Sequence, residues 1–128
     1  MSIFIKILMV VLSAGSLAMA HGEDKPGPHG GHIRMPANFH TEVVANQDGS
    51  YQVYLLDMQF QNSIVKNSQV KAYIKNINKK LDLKCEVKGT DHFLCVDPSA
   101  QKSGSLMIKA TRNGVVAKKD AEYKLPLK

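Results

Sequence analysis

The chain has no tryptophan, two cysteines and two arginines among its 128 residues, and aromatic residues make up only 6%. Without tryptophan it lacks the ring that true immunoglobulin domains bury against their disulfide. Cys85 and Cys95 are not in Cys-x-x-Cys spacing, which argues against a thiolate metal pair or a redox couple. Arg34 and Arg112 stand alone among many scattered lysines, a poor composition for a nucleic-acid surface. There is no nucleophile elbow, no pair of catalytic carboxylates and no phosphate loop, so no enzyme activity is expected. Internal repeats and long helical heptads are missing too. The apolar run in the first twenty residues is shorter than a spanning helix needs.

That run has the form of an export signal. Lys6 precedes Ile7-Leu8-Met9-Val10-Val11-Leu12, small residues follow, and Ala18-Met19-Ala20 is the pattern signal peptidase accepts. Cleavage at the Ala20–His21 junction assigns residues 1–20 to a signal peptide and leaves no stable membrane span. The remaining 108 of the 128 residues suffice for one domain, in the periplasm or secreted. The formal net charge is +6, carried mostly by lysines spaced as on a solvated sheet face.

Residues 21–38 hold three prolines and four glycines and read as a flexible His-rich leader. From residue 39 the pattern alternates with period two. Strands are expected over 39–45, 51–57, 69–74, 81–88, 92–96, 105–111 and 115–125, with 60–68 a loop or short helical crossover. Turn chemistry separates them, and Asn113-Gly114 is the strongest hairpin signal. The expected fold is all-β: an immunoglobulin-like β-sandwich of about seven strands over 39–128. A three-residue loop at Gly89-Thr90-Asp91 sets Cys85 opposite Cys95 and predicts a disulfide between them.

Four of the five histidines, His21, His29, His32 and His40, fall within twenty residues, beside Glu23, Asp24 and Met35. Imidazole and carboxylate together suit zinc and copper(II), and thioether favours copper(I). Cleavage before His21 would free an α-amine that chelates copper(II) together with its own ring. Asp57, Met58, Asp91 and His92 are second-rank candidates at strand ends or turns. Met58 and Met107 read more simply as core or surface filler, His40 as a residue on an exposed strand face and His92 as solvated.

Pro28-His29-Gly30-Gly31, Phe39-His40-Thr41-Glu42-Val43-Val44 and Tyr51-Gln52-Val53-Tyr54-Leu55-Leu56-Asp57 resemble a small periplasmic domain. That domain is found at the start of heavy-metal efflux pump adaptor subunits and as stand-alone exported proteins. The resemblance covers roughly residues 21–75. It implies a β-sandwich that handles copper, zinc or cobalt ions, with His29 the carried-over candidate and His40 and Glu42 behind it. The chain lacks the helical hairpin and lipoyl-type segments of the adaptors. Small periplasmic copper-resistance β-proteins are similar through the mature N-terminal His, but nothing after Asp91-His92 supplies their C-terminal Asp-x-His pair.

The expected function is a periplasmic copper or zinc buffer or carrier linked to heavy-metal efflux or resistance. His21, His29, His32 and His40 would be its ligands, and an efflux system or another envelope protein its partner. The alternative is an exported immunoglobulin-like interaction module with no metal role.

Overall fold

The computed structural model describes residues 25–99 and 103–127, so Ala20, His21 and the export signal lie outside the described residues. Ten strands follow in chain order: β1 (His32–Arg34), β2 (His40–Ala45), β3 (Tyr51–Leu56), β4 (Gln69–Asn76) and β5 (Lys79–Asp82), then β6 (Lys84–Lys88), β7 (His92–Val96), β8 (Gly104–Arg112), β9 (Val115–Val116) and β10 (Ala121–Leu125). All pairings are antiparallel. The first sheet runs β1-β2-β3-β7-β6 and the second β10-β8-β4-β5, with β9 paired to β8. The two form an all-β sandwich. No helix among the described residues is long and apolar enough to cross a membrane.

Period-two alternation builds the core. On β4, Val70, Ala72 and Ile74 point inward while Lys71 and Lys75 stay in solvent. They meet Leu106, Ile108 and Ala110 of β8 and Val53, Leu55 and Phe93 of the first sheet in one cluster. Each large side chain fully buried there contributes roughly 1.5–3 kcal/mol.

Three expected elements differ from what is observed. The stretch 81–88 is two strands, because at Leu83 the chain leaves the second sheet and joins the first. The Leu83 amide donates to Ala72 O at 2.9 Å and its side chain is buried. The stretch 115–125 divides at Ala117, which turns into the core. The third difference bears on the site. Residues 25–38, expected as part of a flexible leader, are built into the fold. Pro26 bridges to His32, the Gly27 amide donates to Gly31 O at 2.9 Å, and β1 pairs with β2. Ile33 is 1% exposed and packs with Tyr54, Leu56 and Val44 on the outer face of the first sheet.

Two glycines of this stretch, Gly27 and Gly31, sit where backbone and side chains approach closely. A Cβ on Gly27 would collide with the Glu42 carboxylate, and one on Gly31 would lie 2.5 Å from Val43 O. Gly30 (φ 76°) makes the turn.

Two turn-level expectations hold. Asn113 (φ 47°) and Gly114 (φ 80°) are both left-handed between β8 and β9, as a two-residue hairpin requires. Cys85 faces Cys95 in the β6–β7 ladder, within the register Lys88↔His92 to Lys84↔Val96, and the two are disulfide-bonded.

Candidate imidazole face

Because β2 alternates, Thr41 and Val43 face the core, and His40, Glu42 and Val44 take the opposite side. In the ladder with β3, Glu42 lies opposite Tyr54, His40 opposite Leu56 and Val44 opposite Gln52. Residues 25–33 fold over this outer face. Glu42 is therefore 0% exposed although it points away from the main core.

Burying a carboxylate is tolerable only where donors replace its water. Here there are three. The His29 and Gly31 amides donate to Oε2 at 2.8 and 2.9 Å, and His29 Nδ1 donates to Oε1 at 2.7 Å. The His29 ring then lies flat on Tyr54, with centroids 3.6 Å apart and planes 8° apart. Its side chain keeps 33% of its surface in solvent.

Tyr54 sits on the strand between β2 and β7 and stacks on a second imidazole. His92 of β7 lies 5.0 Å away at 27°, and its Nδ1 meets Asp91 Oδ1 at 2.7 Å. The Tyr54 hydroxyl donates to Gln52 Oε1 at 2.7 Å, and Gln52 Nε2 donates to Asn46 Oδ1 at 2.9 Å. Burial, then the charges of Asp91 and Glu42, push that hydroxyl above its ordinary 10.0.

A third ring follows the same rule. His40 Nδ1 donates to Asp57 O at 3.0 Å, and the ring stacks on Phe60 at 4.1 Å. Contrary to the expectation of an exposed strand position, His40 is 6% exposed. Phe60 reaches it from a left-handed backbone (φ 60°), which for a bulky residue costs about 1–3 kcal/mol. Asp57 holds that loop through the Gln59 and Gln61 amides and Asn62 Nδ2. The Gln61 amide foremost, with help from Asn62, Gln59 and Arg112, keeps the Asp57 carboxyl below its ordinary 3.8. Arg112 ties the loop to the second sheet through Leu55 O and Asn62 O, and Ser63 Oγ donates to Asp91 O.

The common feature is chemical. An oxygen opposite Nδ1 accepts, so each neutral ring of His29, His40 and His92 carries its proton there and its lone pair on Nε2. Oxygen partners of this kind orient metal-bound imidazoles. The rings do not converge, however. Among the described residues no group of three or more His, Cys, Asp or Glu could surround one ion. His32 pairs with Val43 one position off Ile33, which sets it on the other side of β1 from His29.

The expected set is thus dispersed. His29 and His40 share the outer face with Glu42, His32 leaves it, and His21 lies outside the described residues. Asp91 and His92, second-rank in the sequence, join His29 through Tyr54. Nothing in the sequence marks Tyr54 and Gln52 as site residues except their parity with Glu42.

Comparison of the chain with protein-family models, with curated proteins and with solved structures returns no match.

Proposed function

We propose that this chain is an exported metal-ion-binding protein, a copper or zinc buffer or carrier, with His29 Nε2 as its lead ligand. The observation that carries this reading is the 2.7 Å contact from His29 Nδ1 to the buried Glu42 carboxylate. A carboxylate there fixes the ring and its tautomer and raises the basicity of the outer nitrogen, which is what a metal ligand needs. Imidazole suits copper(II) and zinc. One or two such nitrogens, with water or residues outside the described chain completing the sphere, fit an ion that is held and released. They do not fit a closed structural site. The resemblance of residues 21–75 to efflux-adaptor domains supports a place in heavy-metal efflux or resistance, with the ion as cargo.

The test is calorimetric titration of the exported protein with copper(II) and with zinc. His29→Ala and Glu42→Gln should each weaken binding at least about tenfold. Affinity unchanged in His29→Ala would overturn the reading. Mass and N-terminal sequence of the same sample settle whether His21 is residue one and adds its amine.

A further inference from the structure

Independently of the metal reading, we propose that the end of the second sheet around the β4–β5 hairpin docks on an anionic phospholipid bilayer, with Ile77 as the inserted side chain. Ile77 sits at the tip of that hairpin, between Asn76 and Lys79, and is 95% exposed. A β-branched residue is not what a tight turn selects, since Gly, Asn and Asp supply turn conformations at less cost. A single exposed apolar residue is ordinary on a protein surface. What surrounds this one is not.

Next to the Asn76–Lys79 pair that closes the hairpin, the first rung to run through all four strands reads Lys80, Lys75, Ser105, Lys124 across β5, β4, β8 and β10. All three lysines are exposed, and Lys79 adds a fourth at the turn. Lys75 lies directly opposite Lys80, an arrangement that destabilises a ladder unless something anionic meets it. No acid belongs to this rung. The acids of the face, Asp82 and Glu122, come one rung further from the tip, opposite Tyr73 and Met107. Lys80 Nζ lies 4.6 Å over the Tyr73 ring, and the Tyr73 hydroxyl donates to Asp120. Beyond them Lys71 faces Lys109, a second like-charged pair.

An exposed aliphatic tip beside ammonium groups that form no ion pair among the described residues is complementary to a bilayer surface. The side chain enters the headgroup–acyl boundary while the lysines meet lipid phosphates. A soluble acidic protein would satisfy the lysines and leave Ile77 in water. The sandwich sets this lysine face on the side opposite the outer face of the first sheet, so docking leaves His29 and His92 accessible.

The experiment uses the exported protein and vesicles of phosphatidylcholine with and without phosphatidylglycerol. Ile77→Trp creates a single emitter, because the chain has no other tryptophan. Its emission should move to shorter wavelength with the anionic vesicles only. In co-sedimentation, Lys75→Ser and Lys80→Ser should each lower partitioning about fivefold at low salt. Ile77→Asn should lower it roughly tenfold. High salt should release the protein. Hydrogen-exchange protection of β4 and β8 should stay as in the wild type. Equal binding to both vesicle types, unchanged Ile77→Trp emission on bound protein, or undiminished binding of Ile77→Asn would each overturn the proposal. So would association with polyglutamate that matches association with the anionic vesicles.

Discussion

His29 and Glu42 meet twice: the ring Nδ1 lies 2.7 Å from one carboxylate oxygen, and the backbone amide of the same histidine lies 2.8 Å from the other. One carboxylate therefore holds both the segment that carries the imidazole and the orientation of the ring. Since Glu42 is wholly buried, whatever ligand chemistry His29 performs is tied to the packing of residues 25–33 on the first sheet.

Glu42→Gln should cost stability, apart from its effect on the proposed metal binding. A carboxamide offers one accepting oxygen to three donors and turns its own N–H groups toward one of them. The expected loss is about 1–3 kcal/mol, read as a lower denaturant midpoint with an unchanged slope. A midpoint equal to that of the wild type would contradict the three-donor account of the site.

Gly31→Ala should act on the same site without touching a polar side chain. Its Cβ would lie 2.5 Å from Val43 O and crowd Glu42, so β1 must shift from β2. A loss of about 1–3 kcal/mol is expected, together with loss of the ring-current shift that Tyr54 imposes on His29. A variant with wild-type stability and an unchanged His29 ring spectrum would mean that the close approach is not needed.

Cleaving the Cys85–Cys95 bond, by reduction or as the Cys85→Ala, Cys95→Ala pair, closes no new contact and opens a ten-residue loop in the unfolded chain. The expected cost is about 2–3 kcal/mol. Faster amide exchange should be confined to β6, which lies at the sheet edge and leans on β7 alone within its sheet. Exchange rising equally in β3 and β8 would show a wider structural role.

Alkali should be felt through Tyr73. Its hydroxyl donates to Asp120 at 2.6 Å, and that bond, then burial, pushes its pKa from 10.0 up to about 12. The folded value is the higher one. The stabilisation is complete below pH 10 and is lost as pH rises through about 12. Tyr73→Phe should be less stable than the wild type at neutral pH and approach it above that range. Denaturant midpoints measured from pH 7 upward check this, and a constant difference across the range would count against the linkage.

Much of this fold is legible along the chain. Alternating apolar residues on β4 and β8 mark one buried face whichever sheet they join. Asn113-Gly114 specifies its hairpin because left-handed backbone is least costly there. The loop at residues 89–91 sets the register that brings Cys85 to Cys95. Those are local statements, settled by side-chain period and turn chemistry over a few residues. β1 was not legible, since three residues are too few to show a period. The glycines beside it read equally as slack or as room for close packing.

Sequence by itself determined which residues share a face: His40, Glu42, Gln52, Tyr54 and His92 all carry the outward parity of their strands. Only tertiary structure decided that residues 25–33 cover that face. The covering loop buries Glu42, turns its charge onto His29 thirteen residues earlier in the chain, and leaves Tyr54 between two imidazoles. The reason is physical. Parity is imposed by the geometry of each strand, whereas burial of a charge depends on what folds over it, and that partner comes from a distant stretch of backbone.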